Sequence, residues 1–135
     1  MNERGQVTVL VVGMALLAFA AAGLGVDGTR AWLLRRTLQN AADSAALAGA
    51  AELDRDEYYG SGGHRVALDP RASRDTARAW LSARATGARA SVIGAPDRVI
   101  VEMRDEMPTT FLSLVGIESI AVSVRSDAAP SAGTP

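Results

Sequence analysis

Residues 7–26, VTVLVVGMALLAFAAAGLGV, form a run of 20 positions without a charge, in which Thr8 is the only polar interruption. As a helix this run extends roughly 30 Å, the thickness of a bilayer's hydrocarbon layer. Alanine and glycine dilute its hydrophobicity, yet Val9, Leu10, Val11, Val12, Met14, Leu16, Leu17 and Phe19 suffice for insertion. Gly13, Gly23 and Gly25 leave small surfaces where another helix can approach closely. Twenty uncharged residues without a polar face exceed what a domain in a 135-residue chain can cover, which disfavours a buried soluble helix. A cleaved secretory signal fits the same run. Arg4 supplies the positive start, and Ala18-Phe19-Ala20 or Ala20-Ala21-Ala22 has the small-x-small form of a cleavage site. On that alternative the remainder is a secreted or envelope binding protein.

Downstream, past the helix breakers Gly25 and Gly28, Ala31, Leu34, Leu38, Ala41, Ala45 and Ala48 recur at spacings of three and four. They predict one narrow apolar seam on a second, amphipathic helix, with Arg35, Arg36, Gln39, Asn40 and Asp43 on the other side. Alanine at most seam positions lets a partner come very near. That partner is either the chain's own sheet or a neighbouring subunit. Asp27 stands at the end of the apolar run, where a carboxylate is costly unless hydrated or paired, and Arg30 lies one helical turn away. The pair reads as an interfacial anchor or as a contact with a partner. Asp27 and the six seam residues Ala31, Leu34, Leu38, Ala41, Ala45 and Ala48 are therefore the candidate partner-binding positions. Arg35 and Arg36 read as contacts with lipid headgroups.

Arg4-Gly5-Gln6-Val7-Thr8-Val9, the apolar run, Val26-Asp27-Gly28, and above all LQNAADSAALAGA at residues 38–50 resemble the N-terminal region of TadE/TadG-like Flp pilus-assembly proteins. The likeness spans about residues 4–53 and implies one membrane helix continuing into an exported region. It implies a minor pilin-like or envelope structural role exercised by protein–protein contact. The chain departs from neighbouring patterns in two ways. Prepilin-type processing after Gly5 would call for a glutamate five residues on, where Leu10 stands, and the von Willebrand A-type Asp-x-Ser-x-Ser motif of larger TadG-like proteins does not occur. Positive charge by itself would keep the C-terminal side in the cytoplasm, since Arg30, Arg35 and Arg36 follow the run and Arg4 precedes it. The short N-terminus, the long C-terminal region and the resemblance favour a C-terminal domain outside the plasma membrane.

In the C-terminal half, Gly60-Ser61-Gly62-Gly63 predicts a flexible loop, and Asp69-Pro70 starts an amphipathic helix over about residues 71–86 through Ala77, Trp80, Leu81 and Arg84. The period then changes to two. Ala90–Ile93 and the alternation of Val99, Val101 and Met103 predict a hairpin about the turn Gly94-Ala95-Pro96-Asp97, ended by Pro108. Thr109 or Thr110 is expected to cap a brief helix stopped by Gly116, and Ser119–Arg125 to form a last strand with Ile120, Val122 and Val124 on one face. The expected organisation is a cytoplasmic N-terminus at 1–6, a transmembrane helix at 7–26, an amphipathic helix at 27–57, a flexible loop at 58–70, a small domain at 71–126 and a disordered tail at 127–135. The fold class is α+β, a long N-terminal helix packed with a small antiparallel sheet as in pilin-like folds.

Chemistry is hard to find. The chain has 14 basic residues, all arginine, against 15 acidic ones, a balance that does not support nucleic-acid binding. The absence of cysteine excludes disulfides, thiolate metal sites and a cysteine nucleophile. His64 reads as an exposed loop residue without a serine or cysteine partner. Asp54, Asp56 and Glu57 hint at a calcium loop, but the twelfth position of the EF-hand pattern is Arg65, so a solvated helix end fits better. The reading is thus of a non-enzymatic protein with no metal, no cofactor and no small-molecule substrate, whose partners are membrane lipid and other Tad pilus-assembly proteins or pilins. Leu16→Arg should oppose insertion by about 2.5–3.5 kcal/mol, and membrane fractionation should show the variant shifted out of the bilayer.

Overall fold

α1 (Glu3–Gly49) is followed by α2 (Arg55–Gly60), α3 (Pro70–Ala83), β1 (Arg89–Gly94), β2 (Val99–Pro108), a 3-10 turn (Leu112–Val115) and β3 (Ser119–Ala128). The computed structural model describes residues 3–84 and 87–130. The strands form one antiparallel sheet in the order β1-β2-β3, so the architecture is α+β as expected. The chain divides into two compact units, one made of the chain up to Leu34 with Glu106–Ala121, the other of Arg35–Asp105 with the chain from Val122 onward.

In the first unit, α1 runs unbroken past Gly25 and Gly28, which the sequence reading took for breakers. A glycine inside a helix costs only about 0.5–1 kcal/mol relative to alanine, which a continuous hydrogen-bond ladder outweighs. The Thr29 hydroxyl also donates to the Gly25 carbonyl at 2.6 Å. The helix is long and apolar enough to cross a membrane, and only 6% of its most apolar window is buried.

The second unit holds most of the core. Leu38, Ala41 and Ala45 of the seam are buried, and so are Ala42, Ala46 and Ala50, so the covered stripe is broader than the three-four spacing implies. The small side chains have a direct use. A Cβ on Gly49 would stand 2.6 Å from the Ser73 carbonyl oxygen and 3.2 Å from both Ala77 Cβ and Val99 Cγ1, so the α3 backbone meets α1 there and a β2 side chain packs beside it. α1 ends at Gly49, within the stretch 27–57 read as one helix. Its last turn tightens, with Ala51 N–H donating to Ala48 O and Glu52 N–H to Gly49 O, and Leu53 then leaves to form a bridge with Leu68. The Asp54 carboxylate accepts from Glu57 N–H at 3.1 Å and starts α2.

The stretch 58–70, expected to be a flexible loop, takes in the end of α2 and the first residue of α3. Only the turn after α2 uses glycine's freedom, at Gly62 (φ 66°) and Gly63 (φ 82°). Leu68 is fully buried and its N–H donates to Pro96 O at 2.9 Å. Asp69 then accepts from Arg71 and Ala72 N–H at 2.9 and 3.1 Å, so α3 starts with the cap and first-turn proline the sequence predicts. Ser73, Ala77 and Leu81 form its buried face, while Trp80 is half-buried with the Arg84 guanidinium 3.6 Å from its ring. Ala85 and Thr86, the end of the helix as expected from sequence, lie outside the described residues.

β1 pairs with β2 from Arg89↔Arg104 to Gly94↔Val99, and Ala95 N–H closes the turn on Arg98 O at 2.9 Å. This is the expected hairpin, with Val99, Val101 and Met103 inward. β3 runs on to Ala128, so Asp127 and Ala128 belong to the sheet and not to a disordered tail. Pairing satisfies backbone groups whatever the side-chain bulk, which composition alone does not register. Ala129 and Pro130 follow the strand without regular structure, and residues 131–135 of that expected tail lie outside the described residues.

The close approach at Gly49 is testable. Gly49→Ala should destabilise the protein by about 1–3 kcal/mol, measured by unfolding in detergent, whereas Gly13→Ala, with nothing within 4 Å of the added carbon, should not.

Candidate functional site

Asp27 gives the first unit its most constrained site. Its side chain is wholly buried, and its carboxylate faces the loop that joins β2 to β3. Oδ1 accepts from Thr110 N–H at 3.0 Å, and Oδ2 accepts from Thr110, Phe111 and Leu112 N–H at 3.2, 2.8 and 2.9 Å. Three consecutive backbone donors thus converge on one carboxylate. Arg30, one turn along α1, brings Nη1 within 3.6 Å of Oδ1 and donates to Thr110 Oγ1 at 2.9 Å. The backbone N–H donors, led by Leu112, hold the Asp27 carboxyl below the ordinary carboxylate range despite desolvation, and Arg30 adds to the effect.

The loop is built to present those donors. Thr109 N–H donates to Glu118 O at 3.0 Å, and the Thr109 hydroxyl donates to Ile117 O, closing the base. Within it, Leu114, Gly116 and Ile117 N–H donate to Phe111, Ser113 and Leu112 carbonyls, each at 3.1 Å, and Gly116 takes the left-handed φ of 88°. The Ser113 hydroxyl donates back to Thr110 O at 2.8 Å. Gly23, one turn before Asp27, makes room: a Cβ there would stand 2.7 Å from Phe111 Cβ.

The structure therefore gives Asp27 a partner the sequence reading did not name. The Arg30 ion pair is present, but backbone amides 83 to 85 positions away do most of the holding. The expected threonine cap of the brief helix is absent: Phe111 occupies the cap position without a side-chain bond, and Asp27 takes the N–H groups that Thr109 or Thr110 was expected to serve. A local spacing rule cannot see such a cap, because the acceptor comes from a different element. The one available signal was a lone carboxylate at the end of an uncharged run.

Of the other candidate positions, Ala31, Leu34 and Ala48 are half-buried, and Leu38, Ala41 and Ala45 are buried. His64 is exposed and lines an open depression with Asp56, Glu57, Ser61 and Arg65. Glu57 there pairs with Arg65 at 3.1 Å, the residue that displaced the calcium-loop glutamate. Among the described residues no three His, Asp or Glu side chains stand together as metal ligands.

Residues 5–52 match the family model described as "Putative Flp pilus-assembly TadE/G-like". The matched stretch takes in α1 and the turn that follows it, in agreement with the resemblance read above all from residues 38–50. Neither a curated protein nor a solved structure matches the chain.

The arrangement at Asp27 sets a pH dependence. Because its folded pKa lies below the unfolded value of about 3.9, its stabilisation is fully present above that value and disappears as pH falls through the folded pKa. Protection factors of the Thr110, Phe111 and Leu112 amides, each corrected for intrinsic exchange at the same pH, should be high at neutral pH and fall in acid. Asp27→Ala should show low protection at every pH, and Asp27→Asn should abolish the acid transition.

Proposed function

We propose that the chain is a single-pass plasma-membrane component of a Flp/Tad pilus-assembly system, minor pilin-like or structural, that acts by protein–protein contact and carries its C-terminal region outside the cytoplasm. The observation behind this reading is the match of residues 5–52 to the pilus-assembly family over a helix whose apolar window is almost entirely uncovered. Lipid is the natural cover for that window, and residues 7–26 are its expected span. The N-terminal residues 1–6 are then cytoplasmic. The family match points to other Tad proteins or pilins as partners. With much of the seam buried in the second unit, the exposed apolar residues of α1 are the better contact candidates, among them Leu33 and Leu47.

Two measurements test the proposal. Mass determination of the mature protein should return an N-terminus upstream of Val7, and loss of the chain through about residue 20 or 22 would replace the anchored reading with a secreted one. A photo-crosslinking residue at Leu47, 66% exposed, should capture a pilin or another pilus-assembly protein in the native host. Failure to capture one from either Leu33 or Leu47 would remove α1 as the contact surface.

A further inference from the structure

The loop between β2 and β3 carries large apolar side chains on its outer side: Leu114 is 78% exposed, Val115 67% and Ile117 47%. A loop that met only water would gain nothing from them. Its position in the first unit limits what can cover it. Phe111 lies against Gly23, and the carboxylate that holds Thr110–Leu112 belongs to Asp27. Gly23 precedes Val26, the last residue of the uncharged run, by three positions, so the loop meets α1 about 4–5 Å inside the end of the apolar run. That is the depth of the boundary between acyl chains and headgroups, where amphipathic segments settle.

Two further features suit a lipid-facing loop. Apolar surroundings punish every unpaired N–H, and seven of this loop's amides, at Thr109, Thr110, Phe111, Leu112, Leu114, Gly116 and Ile117, are already bonded, three of them to Asp27. The charge that makes those bonds has no exposed surface. Thr109, Thr110 and Arg30 stand at the same place on the unit and can meet headgroups and water.

We propose that the 109–118 loop is a second membrane contact, a wedge in which Leu114, Val115 and Ile117 enter the interfacial layer of the lipid leaflet beside the C-terminal end of the apolar helix. The occupant is lipid because the loop's Phe111 lies against Gly23 of a helix that is itself uncovered at the neighbouring Leu24 and Val26. Asp27 is then the pin that keeps the wedge at a fixed depth. This inference rests on the membrane-spanning reading of α1.

The native chain has no cysteine, so one introduced cysteine carries a label without competition. Leu114→Cys and, separately, Leu16→Cys are labelled with an environment-sensitive thiol fluorophore in the full chain, in vesicles of phosphatidylcholine and phosphatidylglycerol. The Leu114 probe should show blue-shifted emission and a larger loss of fluorescence with a nitroxide near the headgroup end of the acyl chain than with one near its methyl end. The Leu16 probe should show the reverse preference. An unquenched Leu114 probe beside a quenched Leu16 probe, whether the former is open to aqueous iodide or shielded by another protein, overturns the wedge alone. If neither probe is quenched, the membrane span fails and the wedge fails with it. Val115→Cys repeats the reading at a second exposed position, and because both sites are exposed neither substitution disturbs packing.

Discussion

A carboxylate with no exposed surface, at the end of an uncharged run, is a severe constraint on this chain. Desolvation alone would drive it to take up a proton, and only a dense set of donors keeps it charged. Asp27 gets that set from the amides of Thr110, Phe111 and Leu112, with Arg30 close by. The dependence is mutual. Without Asp27 the first turn of the loop would have three orphaned donors, and without the loop Asp27 would be a bare charge at the edge of an apolar helix. Gly23 completes the arrangement, since Gly23 and Asp27 lie one turn apart on one face, the first admitting Phe111 and the second binding its N–H.

The same economy of side chains governs the second unit. Few aromatic residues are available, and the core consists mainly of alanine, valine and leucine with Met103. Such a core gains its contact area by bringing backbones together, as at Gly49, where the α3 backbone approaches within a distance that no side chain would permit. Packing of this kind tolerates little added volume.

The family match ends at Glu52, so it includes Asp27 and excludes the loop whose amides Asp27 binds. The pairing therefore joins a segment that matches the pilus-assembly family model to one outside that match.

The sequence by itself determined whatever depends on neighbours in the chain. The uncharged run of residues 7–26, the Asp69-Pro70 start of α3, the hairpin about residues 94–98 and the alternation of Val99, Val101 and Met103 are local patterns, and each has one inexpensive solution in the backbone. Where α1 stops, how far β3 extends and who caps the 3-10 turn are different, because each is settled by a group far away in sequence. Gly49 lies where Ser73 passes, Leu53 leaves the helix for Leu68, and β3 runs on because a strand is there to pair with it. Asp27 is the clearest case. Its need for partners could be read from its place in the apolar run, but only the tertiary structure decided that they would be three backbone amides, since hydrogen bonds across more than 80 residues leave no spacing to read.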